Sequence, residues 1–254
     1  MDRRQFVHRA ATGVLAANSV TQLSSFFANR APYKAVAFDA FPIFDPRPVA
    51  ALCESFFPGK GAELTNAWRT RQFEYQWLRA LGGRYADFMR TTDDALAFAT
   101  NSLHLELGSE KREQLVQAYA RLKAWPDVSP ALERMRGEGL RLALLSNMTA
   151  AMLTTNIAAS NLNNAFDHVL STDSIRTYKP DPRAYQLGVD ALKLRREEIL
   201  FVAFAGWDAA GAGWFGYPTV WVNRAESPTE ELGVAPLAVG HDLGAVASAV
   251  STPK

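Results

Sequence analysis

A single cysteine, Cys53, is all the thiol chemistry available in 254 residues. One cysteine excludes an internal disulfide and any zinc-ribbon spacing, and Cys53 reads most simply as a small buried hydrophobe on a helix. Charge of either sign is never in excess: 27 Lys and Arg stand against 26 Asp and Glu, a formal net charge of +1. No basic surplus points to nucleic acid or to an anionic membrane surface. Long apolar runs are missing too. The mildly apolar stretch 10–20 is too short to span a bilayer, so no stable membrane insertion is expected. No internal repeat or low-complexity tract is visible apart from the polar tail after Ser251. What is present is a 48% apolar composition and a length suited to one large domain, or to a core with an insertion.

The amino terminus stands apart. Asp2-Arg3-Arg4-Gln5-Phe6-Val7 resembles the twin-arginine export signal, and small residues around Ala28 and Ala31 offer a cleavage point. Residues 1–31 are therefore set aside as a signal, and a periplasmic location is expected. The alternative is a disordered or amphipathic extension on a cytoplasmic protein.

Segment 34–39 reads as a buried strand ending on a carboxylate. Val36, Ala37 and Phe38 form an apolar run, Asp39 follows, and Pro42 stops ladder pairing soon after. Strand-like runs return at 140–146, 168–171, 199–204 and 219–223, separated by helical patterns at 128–138, 148–158, 182–193 and 207–215. Strands alternating with helices predict an α/β fold with a doubly wound parallel sheet, a Rossmann-like core built from 32–46 and 126–254. The span 47–125 has no comparable strand. Trp68, Phe73, Trp77 and Leu81, then Leu96, Phe98, Leu103 and Leu105, then Leu115, Tyr119 and Leu122, recur at helical spacing. These residues predict an inserted helical cap subdomain over the carboxyl edge of the sheet, with most of its aromatics serving as core.

Polar groups follow four strand ends, where open α/β sheets hold ligands. Asp39 follows the first. Ser146-Asn147-Met148-Thr149 follows the second, where a starting helix favours an anion. Tyr178-Lys179-Pro180-Asp181-Pro182 follows the third, with Asp181 as an N-cap and Pro182 at the first helical position. Gly206-Trp207-Asp208 follows the fourth. Taken singly each has a plainer reading: Asp39 as a turn cap, Lys179 as a surface lysine, Asp208 as an N-cap.

This order of motifs is similar to that of the haloacid dehalogenase superfamily, and most of all to the L-2-haloacid dehalogenases (type II). The stretches that carry the resemblance are Phe38-Asp39-Ala40-Phe41, the run 68–79 (WRTRQFEYQWLR), Leu145-Ser146-Asn147, Tyr178-Lys179-Pro180-Asp181 and Ala205-Gly206-Trp207-Asp208. The likeness spans 34 to about 225. It implies that Asp39 displaces halide from a short 2-haloacid and that water then cleaves the resulting aspartyl ester. It assigns Lys179 to hold Asp39 ionised and Asp208 to activate water. Arg69 and Asn147 would bind the halide beside Trp207, and Ser146 the substrate carboxylate. Phe41, Phe73 and Phe88 would wall the alkyl group, with Tyr185 further out. The implied partner is a small halogenated carboxylic acid; a homodimer is a further expectation. No cofactor and no metal are called for. Phosphatases of the superfamily carry a second acid two residues after the nucleophile, and this chain has Phe41 there. A halide leaves without needing a proton, so the missing acid favours dehalogenation.

Several positions depart from the family pattern. Its Asp-x-Tyr-Gly-Thr reads Asp39-Ala40-Phe41-Pro42-Ile43, and its Ser-x-Asn-x-Trp-Asp reads Ala203-Phe204-Ala205-Gly206-Trp207-Asp208. A hydroxyl is lost at Ile43, an N–H at Pro42, and polar side chains at Ala203 and Ala205. Attenuated turnover, a homologue that only binds small carboxylates, and a phosphatase-like hydrolase of the superfamily stay open at this point.

Overall fold

The computed structural model describes residues 33–250; the signal read in 1–31 lies outside the described residues. Strand β1 (Ala35–Phe38) is wholly buried and sits mid-sheet between β2 (Arg141–Ser146) and β4 (Ile199–Ala203). Central parallel strands are covered on both faces, which is why β1, β4 and the stretch 142–145 of β2 are continuously apolar instead of alternating. With β3 (His168–Ser171), β5 (Thr219–Val222) and β6 (Ala238–Gly240) they form a six-stranded parallel sheet of order β3-β2-β1-β4-β5-β6. The doubly wound parallel sheet expected from sequence is present. Strand β6 is an addition to that expectation. Its three residues, Ala-Val-Gly, are not fully buried, and pairing with β5 is what makes them a strand.

Successive strand residues enter two separate apolar clusters. Val36, Phe38, Leu142, Leu144 and Val202 belong to one, and Ala37, Ala143, Leu145, Phe201 and Ala203 to the other. Helices α7 (Pro182–Leu192) and α8 (Gly206–Phe215) cover the second through Tyr185, Leu192, Ala212 and Phe215. The first is covered by α5 (Val128–Gly137), α6 (Ala150–Ala159) and α9 (Gly244–Val250), through Met135, Leu153 and Val246.

Between β1 and the core helix α5 lie four helices: α1 (Arg47–Phe56), α2 (Gly61–Leu81), α3 (Phe88–Ser102) and α4 (Ser109–Ala118). Where the chain leaves and re-enters the core its two segments pair. Phe44 bridges Ala124, Asp45 N–H donates to the Lys123 carbonyl at 2.8 Å, and Trp125 N–H to that of Ile43 at 3.0 Å. Cys53 is buried on α1, and Trp68, Leu96, Leu115, Tyr119 and Leu122 are core. Leu81 is not: as the last residue of α2 it stands 87% exposed, and Phe98 lies at the surface under the Arg71 guanidinium. Among the described residues no helix is long and apolar enough to cross a membrane.

Candidate active site

Strands β2 and β3 lie to one side of β1, and β4 to β6 to the other, so the chain changes direction of growth there. The crevice outside the carboxyl ends at such a switch point is the natural ligand position. Asp39 opens onto it directly after β1, its backbone fixed by an N–H bond to the Val202 carbonyl at 2.9 Å.

Lys179 arrives from the far end of the sequence. Asp181 caps α7 by accepting from Arg183 N–H at 2.9 Å and Pro182 occupies the first turn, as expected, which holds Lys179 just ahead of the helix. Its Nζ donates to Asp39 Oδ1 at 2.8 Å and to Asp208 Oδ2 at 2.6 Å. The ammonium is 1% exposed. The remaining carboxylate oxygens are also served: Phe41 N–H donates to Asp39 Oδ2 at 3.2 Å, and Tyr185 Oη to Asp208 Oδ1 at 2.8 Å. Asp208 is no N-cap. Ala205 holds that position in α8, and the Asp208 carboxylate turns inward from the first turn.

One buried ammonium thus serves two carboxylates. Burial pushes Asp208 up to about 6; the Lys179 charge pulls against that rise and the Asp39 charge adds to it. Burial works against the Lys179 cation, yet Asp208 and Asp39 outweigh it and hold the lysine above its ordinary value. Burial, and then the Asp208 charge, hold Tyr185 far above the usual phenol range, so it stays a donor at physiological pH.

The loop after β2 is arranged differently from expectation. Thr149 has extended backbone and caps α6, which begins at Ala150, two residues beyond the expected start. Ser146 Oγ accepts from Met148 N–H at 3.1 Å, leaving its O–H to donate. Asn147 is tied within the protein. Its Oδ1 accepts from Lys179 N–H at 2.9 Å and from Thr172 Oγ1 at 3.3 Å, and its Nδ2 donates to Gln76 Oε1 at 2.9 Å.

A cavity of about 270 Å³ opens above these groups. Asp39, Lys179 and Asp208 line it with Ser146 and Asn147; Phe41, Phe73, Phe88 and Trp207 supply an apolar wall. Tyr185 stands behind Asp208 and does not line it. Arg69 lines the cavity while remaining solvent-exposed, which places it at the mouth. Its guanidinium lies 5.7 Å from the Phe73 ring centre and 5.8 Å from that of Phe204. No ion pair joins Arg69 to a carboxylate among the described residues.

Sequence reasoning gave no site role to Gln72, Gln76, Tyr119 or Arg224, which also line the cavity. A signal existed for the first two. They fall one and two turns beyond the buried Trp68, putting two amides on the inward stripe of α2. Arg224, after β5, gave no local signal. Where the family pattern breaks, Ile43 is wholly buried in the apolar cluster of the first sheet face and Ala203 is buried in β4, while Ala205 faces the cavity. Among the described residues no three His, Cys, Asp or Glu side chains are grouped to hold a metal ion.

A carboxylate fixed by a lysine at the switch point, with a second acid beside it and helices inserted after the first strand, is the arrangement expected of a Rossmann-like hydrolase that uses an aspartate nucleophile. A family model described as haloacid dehalogenase-like hydrolase matches residues 11–216. The chain is 42% identical over 204 residues to an (S)-2-haloacid dehalogenase of Pseudomonas sp. (strain YL), covering 80% of this chain and 88% of that protein. It is 40% identical over 204 residues to haloacetate dehalogenase H-2 of Moraxella sp. (strain B), covering 80% and 91%. A solved L-2-haloacid dehalogenase from Xanthobacter autotrophicus, with chloropropionic acid covalently bound, superposes with a TM-score of 0.78 at 36% identity, covering 86% of this chain and 98% of that one. The chain belongs to the haloacid dehalogenase-like hydrolases, in their L-2-haloacid dehalogenase branch.

Proposed function

We propose that the protein hydrolyses short-chain (S)-2-haloacids to 2-hydroxy acids through an ester on Asp39. The observation that carries this reading is the paired Asp39–Lys179–Asp208 centre beneath an apolar wall. An Asp39 carboxylate oxygen attacks the halogen-bearing carbon from behind. A C–O bond forms as the carbon–halogen bond breaks, and the electron pair leaves with the halide. Water then attacks the ester carbonyl and gives its proton to Asp208, whose elevated basicity suits it to that task near neutral pH. The tetrahedral adduct collapses by breaking the ester C–O bond, and Asp208 returns its proton to the leaving alkoxide so that the 2-hydroxy acid departs. The Asp39 carboxyl loses water's second proton to solvent, which restores the carboxylate. Phe41 offers no acid for a leaving alkoxide, which argues against phosphatase chemistry. The side chains at Ile43, Ala203 and Ala205 donate nothing to this centre, so turnover is slow beside that of relatives keeping those donors. Incubating the purified chain with L- and D-2-chloropropionate and measuring chloride tests the reading. Release from the L form that vanishes in Asp39→Asn supports it; no release from either, or release that survives Asp39→Asn, rules it out.

The helices α1 to α4 act as the cap of this site. Export by the twin-arginine route is part of the same proposal, supported by Arg3-Arg4-Gln5-Phe6; periplasmic recovery that is lost in an Arg3→Lys, Arg4→Lys variant is the check. A homodimer through the insertion is supported by the exposed Leu78, Leu81 and Phe98 on α2 and α3, and sedimentation equilibrium decides it.

A further inference from the structure

Among the described residues, three buried side-chain nitrogens lack a hydrogen-bond partner: Gln76 Nε2, Trp207 Nε1 and Arg224 Nε. All three residues line the one cavity that holds Asp39. Unpaired buried donors are costly, and their gathering in one place points to a ligand that completes them.

The orientation of the Gln76 amide follows from a single backbone group. Lys179 N–H can only donate, so the Asn147 atom 2.9 Å away must be its carbonyl oxygen. Asn147 Nδ2 then faces Gln76, and the Gln76 atom it meets at 2.9 Å must be Oε1. Gln76 Nε2 is left on the other side with two N–H bonds and no acceptor. The residue is 0% exposed, so solvent does not serve that amide in the free protein.

Trp207 lines the same cavity, and its ring meets Phe73, three residues before Gln76 and on its side of α2, edge-on at 5.2 Å. Arg69, at the mouth, brings a positive charge. Donors without acceptors, with a cation beside them, call for a ligand group that only accepts: a small anion.

We infer that Gln76 is an anion-binding, specificity-determining residue of this cavity, its Nε2 acting with Trp207 Nε1 and Arg69. It takes the amide role that Asn147, occupied by Lys179 N–H and Gln76 Oε1, supplies only in part. The inference deepens the haloacid reading and rests on it for the substrate. The anion is either the departing halide or the carboxylate that substrate and product share.

Calorimetric titration of the full chain with sodium bromide and with lactate, beside haloacid kinetics, tests this in two variants. Gln76→Met keeps the volume and loses the donors together with the Oε1 acceptor for Asn147. Gln76→Glu keeps the acceptor for Asn147 and places a negative charge at the seat. Gln76→Met is expected to weaken one anion about tenfold and to raise KM more than it lowers kcat; Gln76→Glu is expected to abolish that binding. Weakened bromide assigns the seat to halide, weakened lactate to carboxylate, and both outcomes support the inference. Binding of both anions by Gln76→Met within twofold of wild type overturns it, as does a wild type that binds neither. Should Gln76→Met not fold, Gln76→Glu carries the same comparison. Wild-type turnover with an unchanged variant overturns the inference and leaves the haloacid reading standing. No turnover, with bromide or lactate binding that depends on Gln76, does the reverse.

Discussion

The cavity has two unlike halves. At the strand ends every oxygen of Asp39 and Asp208 has a donor, and the Lys179 ammonium between them is sealed from solvent. On the side formed by α2 and the start of α8, Gln76 Nε2 and Trp207 Nε1 are buried with no partner. A fully paired network is rigid and holds reacting groups in place before substrate arrives. Unpaired donors do the opposite work, since they gain only when something binds. The half built from strands is made for the chemistry, and the helical half for receiving the anion.

That division breaks most severely at Lys179. Lys179→Met leaves two buried carboxylates without a counter-charge, and breaking a buried pair in this way costs about 3–5 kcal/mol. For a chain of this size that is a fall of roughly 10 °C or more in the melting temperature, together with loss of halide release. Burial holds Asp208 above its ordinary value, and without the lysine's opposing charge that acid is easier still to protonate. The deficit in melting temperature is therefore expected to shrink as pH falls from 7.5 to 5; a deficit that grows would show that the ammonium does not hold this centre together.

A second prediction concerns pH in the unaltered enzyme. Asp208 titrates at about 6, above its unfolded value, and must be ionised to take a proton from water. Ester hydrolysis is expected to fall about tenfold per pH unit below that point and to level off above it. The sign for stability is opposite. A carboxyl raised by folding contributes stability while protonated, and loses it as pH climbs from its unfolded value of 3.8 to about 6. Asp208→Asn is accordingly expected to melt a few degrees higher than wild type at pH 7.5 while turning over far more slowly. A lower melting temperature would mean that the ionised acid stabilises the fold.

A gentler change sharpens the contrast from the other side. Ala205 faces the cavity, while Ile43 and Ala203 are packed solid. Ala205→Asn therefore has room to restore a donor near the strand-end half, and kcat is expected to rise about tenfold. Ile43→Thr puts a hydroxyl into the apolar cluster and is expected to lower stability by about 1–3 kcal/mol without matching that gain. Steady-state kinetics and thermal melts on the two variants separate these outcomes.

Much of the strand-end half was legible in the sequence, because its signals are local. An apolar run ending in Asp39, a Lys-Pro-Asp-Pro run before a helix and a Trp-Asp pair opening another each mark a strand end. Topology then dictates that such ends converge. The two amides of α2 lie within the run 68–79 but carry no local mark of their role, since which face of a helix looks into a cavity depends on how the insertion folds back. The engagement of Asn147 was invisible for a similar reason. Gln76 and Asn147 lie 71 residues apart, and their hydrogen bond exists only through tertiary packing. Strand β6 escaped notice because three residues carry too little pattern.

The claim on which everything rests is that oxygen enters the product through Asp39. A single turnover of L-2-chloropropionate by excess enzyme in ¹⁸O-labelled water, followed by mass spectrometry, tests it most directly. The account predicts ¹⁸O in the peptide that carries Asp39 and unlabelled oxygen in the hydroxyl of the lactate formed. Label in that hydroxyl, with none in the peptide, would contradict it.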